Sequence, residues 1–148
     1  MIPVLAILAG AGLFLWPALL NGYPLLFIDS VSYLGQTLFP EWPWDKTPAY
    51  GAFLHLFHWG WSLWPPVLAQ VVILSHLLWL MQRAMRGDAS VVGHLLLCAG
   101  LAAATTAPWF AVTLMPDVFA GIAPLCLLLL GFARDRLALA EVLWLTVL

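Results

Sequence analysis

The chain has 148 residues, of which 64% are hydrophobic and 8% charged, with a formal net charge of −2. A mean hydropathy of +1.01 excludes a water-soluble domain of this length, because such a domain still needs an extensive polar surface. The composition predicts an all-α membrane protein with several transmembrane helices, and no nucleic acid is expected among its partners.

Residues 1–28 contain no Asp, Glu, Lys, Arg or His. That run exceeds the roughly 20 residues a helix needs to cross a hydrocarbon core of about 30 Å, so a first span is predicted over residues 2–20. A cleaved signal peptide is the rival reading, but no basic n-region precedes the run, and its apolar part is long for an h-region. Residues 21–47 form the longest stretch outside the spans, where Gly22, Pro24, Pro40, Pro43 and the following Pro48 interrupt any long helix. A short helix fits residues 29–39, with Asp29 as its N-cap.

Residues 49–64 are apolar but short, bounded by Pro48 and by Pro65 with Pro66, and rich in Trp59, Trp61 and Trp64 beside His55 and His58. Tryptophan at this density suits the headgroup region, so a juxtamembrane helix lying in the outer interface is predicted. Should it cross instead, the two prolines would form a hairpin and Asp29 would move to the opposite side. Further spans are expected over residues 67–81, 91–107 and 118–132. Residues 137–148 are apolar yet too few to cross unaided, giving about four spans plus a partial fifth.

All four arginines fall in two short connections, Arg83 with Arg86 and Arg134 with Arg136. The positive-inside rule places both connections and the amino terminus in the cytoplasm. Asp29, Asp45, Lys46 and Asp117 then lie on the outer side of a multi-pass protein in the cell membrane.

Cys98 and Cys126 fall inside expected spans, where a thiol acts as a small apolar side chain, so neither a disulfide nor a metal site is expected from them. His55 and His58 are three residues apart without a third ligand, a spacing suited to interfacial hydrogen bonding. His76 and His94 lie within spans, where a neutral imidazole can bond across helices or serve a function. No phosphate loop, nucleophile elbow or HExxH motif occurs. Asp29 and Asp117 remain as the carboxylates beside long apolar runs. Each has a structural reading as a helix N-cap and a chemical reading as an acid–base group.

The order of features carries a family resemblance. One amino-terminal span precedes Asp29, Ser30, Val31, Ser32 and Tyr33; Lys46, Thr47, Pro48, Ala49 and Tyr50 then lead an interfacial helix; Pro66 to Gln70 open the next span; and Met115, Pro116 and Asp117 occupy a second outer loop. This arrangement resembles the amino-terminal half of GT-C type membrane glycosyltransferases, the relatives of dolichyl-phosphate-mannose and undecaprenyl-phosphate-sugar transferases. The resemblance covers roughly residues 1–132.

It implies transfer of a sugar from a polyprenyl-phosphate donor to an acceptor on the extracytoplasmic face, with inversion. Asp29 would be the general base, Asp117 would orient the acceptor, and Lys46 would meet the donor phosphate. Tyr33, Tyr50 and His55 would line the sugar pocket. A divalent cation, magnesium or manganese, between Asp29 and Asp117 is an optional cofactor under this resemblance, since members differ in using one. The family's transferases carry more spans, so residues 1–148 are expected to be a single transmembrane domain forming part of a larger module, or one completed by further membrane subunits. The family's outer arginines have no counterpart here.

A non-catalytic membrane subunit, or a lipid-binding module, is the alternative. The small residues Gly100, Ala102, Ala103 and Ala104 would then support close helix contacts, and the two aspartates would be separate caps.

Overall fold

The computed structural model describes residues 2–39 and 44–148; Pro40 and Pro43, read above as helix breakers, lie outside them. Helix makes up 78% of the structure, and no strand forms among the described residues.

The run predicted as one helix over residues 2–20 is two: α1 (Ile2–Phe14) and α2 (Trp16–Asn21). Pro17 lacks the N–H that would continue the ladder to residue 13, and its ring crowds that turn. Leu15 instead closes a tighter turn onto the Gly12 carbonyl at 3.2 Å. α2 stops at Gly22, whose φ of 74° is the left-handed conformation that favours glycine.

α3 (Ile28–Leu38) and α4 (Pro48–His58) pack against each other. The expected capping by Asp29 is corrected: α3 starts one residue earlier, Phe27 takes the N-cap position, and the Ser30 hydroxyl accepts the Phe27 N–H at 2.9 Å. α4 begins with Thr47 capping the Ala49 N–H at 3.4 Å and with proline in its first turn. It ends at His58 rather than continuing to residue 64, because Trp59 (φ 46°) and Gly60 (φ 73°) both turn left-handed.

α5 (Trp64–Arg86) is the longest element. Pro65 and Pro66 sit in its first turn, where their fixed φ pre-organises the helix. Arg83 and Arg86 lie in its last turn against the dipole, and Gly87 ends it at φ 81°. At 23 residues it extends about 35 Å, and it is the one described helix long and apolar enough to cross a membrane. α6 (Val91–Ala104) and α8 (Asp117–Phe132) are apolar but shorter, as is α1. Ser90 caps α6 by accepting the Gly93 N–H at 2.9 Å. The third predicted span therefore ends at Ala104; after Thr105 and Thr106 the chain turns into the short α7 (Ala107–Val112). A 3-10 turn at Arg134–Arg136 leads to α9 (Leu139–Val147), the partial fifth segment.

α5 is the axis of the bundle, with Val67, Val71, Leu77 and Leu80 fully buried. α1 lies across α5 and α6, and its close approach occurs at Gly10. A Cβ there would lie 2.6 Å from both Ser75 Oγ and His94 Nε2. The Ser75 hydroxyl sits 2.8 Å from the Ile7 carbonyl and 3.0 Å from His94 Nε2, closing a polar contact among three helices. Gly100, in the small-residue run singled out above, has open space where a Cβ would go. Away from this core the bundle is apolar outward as well: Leu5, Leu96, Leu127 and Phe132 are all more than half exposed.

Candidate functional site

The loops carrying Asp29 and Asp117 lie at the same end of the bundle because the backbone stitches them together. The Leu25 N–H donates to the Val112 carbonyl at 3.1 Å, and the Leu114 N–H donates to the Leu25 carbonyl at 2.9 Å, a parallel bridge centred on Thr113. Gln70, fully buried on α5, adds a side-chain link. Its Nε2 donates to the Ala111 and Thr113 carbonyls at 3.0 and 3.1 Å, while its Oε1 accepts from the Tyr50 hydroxyl at 2.7 Å. One amide thus joins α4, α5 and the connection preceding α8.

Tyr50 is also packed edge-on against Tyr33 and Phe119, with centroids 5.2 and 6.1 Å away, and stacks on Phe53 at 5.7 Å. Burial pushes its hydroxyl well above the ordinary tyrosine value, and Tyr33 and Asp117 act in the same direction. The phenol therefore stays protonated and serves as the donor to Gln70. Lys46 Nζ lies 5.9 Å from the Tyr33 ring centre and pairs with Asp29 Oδ1 at 3.0 Å and Asp45 Oδ2 at 3.5 Å. The hydrogen bond to Asp29 holds the ammonium above its usual range, more than offsetting partial desolvation.

Asp29, Lys46, Tyr33 and Tyr50 are thus brought together, with Asp117 close enough to Tyr50 to act on it electrostatically. Asp117 opens α8 from its first turn and is exposed; Pro116 holds the cap position, so the N-cap reading is corrected here too. Asp117 forms no ion pair or side-chain hydrogen bond among the described residues. His55 is not part of the group: it is exposed on another stripe of α4, its ring 6.0 Å from that of His58. His58 accepts the Gly60 N–H at Nδ1 (2.8 Å), which leaves Nε2–H to donate to Thr37 Oγ1 at 2.9 Å. Burial lowers the His58 pKa, with His55 contributing, so the neutral tautomer is favoured.

No three His, Cys, Asp or Glu side chains converge among the described residues, and Asp29 is already bonded to Lys46.

Next to this polar group lies an apolar groove of about 390 Å³, walled by Tyr50, Phe53, Phe57, Phe119 and Trp144, with Thr47 and Pro116 also in its lining. Sequence reasoning named Tyr50 but not the phenylalanines, whose signal is an aromatic at 50, 53 and 57 on one side of α4. It also passed over the role of Gln70, whose signal is an amide set in the apolar first half of α5. Comparison with protein-family models, curated proteins and solved structures finds no match.

Proposed function

We propose that this chain is a multi-pass membrane protein, amino terminus in the cytoplasm, and that it forms the carboxylate-bearing part of a GT-C-like glycosyltransferase acting at the extracytoplasmic face. Its exposed apolar flanks and the placement of the arginines at one end of α5 support the membrane orientation. The observation that carries the catalytic reading is the juxtaposition of the Asp29–Lys46 pair with an aromatic groove that begins at the very next residue, Thr47. The groove offers an apolar recess for the isoprenoid chain of a polyprenyl-phosphate donor, and Lys46 lies where the phosphate of such a donor would end.

In the proposed reaction the donor phosphate replaces Asp29 as the partner of Lys46, leaving the carboxylate to accept the proton of the acceptor hydroxyl. The acceptor oxygen bonds to the anomeric carbon as the carbon–oxygen bond to the phosphate breaks, and polyprenyl phosphate departs with inversion at the sugar. A positioned base contributes about 10² to 10⁴ in rate. Asp29→Asn in the complete, active protein should therefore lower transfer from a labelled polyprenyl-phosphate sugar by about that factor without altering membrane insertion, and unchanged transfer removes Asp29 from the mechanism.

A non-catalytic membrane module is the second reading. It is favoured by the occupation of both Lys46 and Asp29 by each other, a half-buried pair that can be purely structural. Donor affinity separates the two: Lys46→Ala weakens it only if Lys46 meets the phosphate.

A further inference from the structure

The arginine end of the bundle carries a polar group that the proposed reaction does not use. Arg83 and Arg136 are bonded to Glu141 and to backbone carbonyls, whereas Arg86 is exposed and makes no ion pair or hydrogen bond among the described residues. Its guanidinium lies beside the start of α6, at Gly93. The position a Cβ would take on Gly93 is 3.5 Å from Arg86 Nη1, 2.9 Å from Gln82 Nε2 and 2.7 Å from Ser90 Oγ. Three polar side chains thus converge on the bare backbone of one glycine, all within reach of one phosphate-sized group.

Each of the three presents a donor. Gln82 is 6% exposed, and its amide has no hydrogen-bond partner among the described residues. Its Oε1 is closed off from solvent but its Nε2 is not, so the N–H side of the amide is the one that reaches the surface at Gly93. Ser90 Oγ accepts the Gly93 N–H at 2.9 Å, which leaves its own proton to give. Arg86 adds a planar, permanently charged fork. Beside them the Val91 and Val92 N–H groups open the first turn of α6, at the positive end of the helix dipole and without carbonyls one turn earlier to receive them. Asp88, the carboxylate of this connection, accepts the Ala89 N–H at 2.7 Å and forms no ion pair with Arg86.

A cluster of donors without an acceptor is matched by an anion with several oxygens, and arginine beside a helix N-terminus is the usual setting for phosphate. The surroundings say what carries that phosphate. Met85 of α5 and Val92 and Leu96 of α6 are all more than half exposed, and Val92 and Leu96 lie one turn apart on a stripe that starts beside Gly93. We propose that Gln82, Arg86, Ser90 and the first turn of α6 bind the phosphate of an anionic phospholipid whose acyl chains lie along Val92 and Leu96. The site is at the opposite end of α5 from Asp29 and does not depend on sugar transfer. The proposed orientation puts it at the cytoplasmic leaflet, where basic pockets between helices take anionic headgroups.

The full chain, held in a neutral, phosphate-free detergent, is titrated with palmitoyl-oleoyl phosphatidylglycerol and read by native mass spectrometry, which counts bound lipids. The matching diacylglycerol supplies the chains without the phosphate, and equilibrium dialysis against radiolabelled inorganic phosphate supplies the phosphate without the chains. One retained phosphatidylglycerol is expected, with neither counterpart held. Gln82→Leu and Arg86→Gln should each weaken its binding by about tenfold, the loss of one hydrogen bond to a charged group. Arg134→Gln removes the same charge from an exposed arginine at the same end that is not among the groups around Gly93, and should bind as the wild type does. Arg86→Gln changes an exposed residue, so it carries the test should Gln82→Leu fail to fold. Equal losses from Arg134→Gln and Arg86→Gln would reduce the effect to diffuse attraction between a basic surface and an anionic lipid, and overturn the site. Full binding in either folded site variant overturns it as well. Equal retention of the diacylglycerol, or binding of inorganic phosphate as tight as that of the lipid, overturns the lipid assignment. None of these outcomes bears on Asp29, whose role is read from sugar transfer.

Discussion

The two ends of the bundle are tied together by different kinds of polar group. At the arginine end, charge does the work: Arg83 holds Glu141 of α9 through both guanidinium nitrogens, one at 2.9 Å, and Arg136 donates to the Ala84 carbonyl. At the Asp29 end, neutral groups do it, through the Gln70 amide, the Tyr50 phenol and the backbone bridge at Leu25. Arg83, Arg136 and Glu141 are thereby consumed in holding helices together. At the Asp29 end the links through Gln70, Tyr50 and Leu25 include neither Asp29 nor Asp117, and Asp29 pairs with Lys46 instead.

The contrast is tested most severely at Gln70. Gln70→Leu strands two carbonyls and the Tyr50 hydroxyl and should cost about 3 kcal/mol, read as a lowered unfolding midpoint in lipid nanodiscs. A loss matched by Asp29→Asn would show that charge holds this end too. Gly10→Ala, in the core between the ends, forces Ser75 and His94 apart and should cost about 2 kcal/mol by overpacking; a neutral effect would mean that α1 slides freely on α5. Glu141→Gln replaces a partly buried charged pair with a neutral contact and should cost about 1 kcal/mol. Its signature is loosening of α9, seen as faster amide exchange there, with no change around Tyr50.

The smallest effect is pH-dependent and confined to the Asp29 end. The folded pKa of His58 is depressed, so its contribution is fully present above the unfolded value of about 6.5 and is lost as pH falls through the lower folded value. Protonation would turn Nδ1 into a donor facing the Gly60 N–H. Acidification should therefore lower the protection of the Gly60 amide, its exchange rate relative to the intrinsic rate at the same pH, in the wild type and leave that protection unchanged in His58→Gln.

Helical class, the clustering of arginines and the approximate helix positions were legible because hydropathy and proline placement report directly on the backbone. The break at Leu15 had a visible cause in Pro17, but a continuous apolar run outweighs one proline when length alone is read. Capping by Asp29 was a local inference that lost to a competing neighbour: Ser30 reaches the Phe27 N–H, and Asp29 turns to a lysine 17 positions away in the chain. Pairings of that kind depend on how α3 meets α4. Periodicity could point to a polar residue in an apolar helix, as at Gln70, but not to the three groups it satisfies.

The bridge at Leu25 uses no side chain at all. Residue identity at positions 25 and 113 can drift through most of the amino-acid alphabet without severing it, and proline at 25 or at 114 removes one of its two donors. A coupling written only in main-chain atoms leaves no imprint in pairwise covariation, so the two loops could stay joined across diverged sequences with nothing in their letters to record the connection.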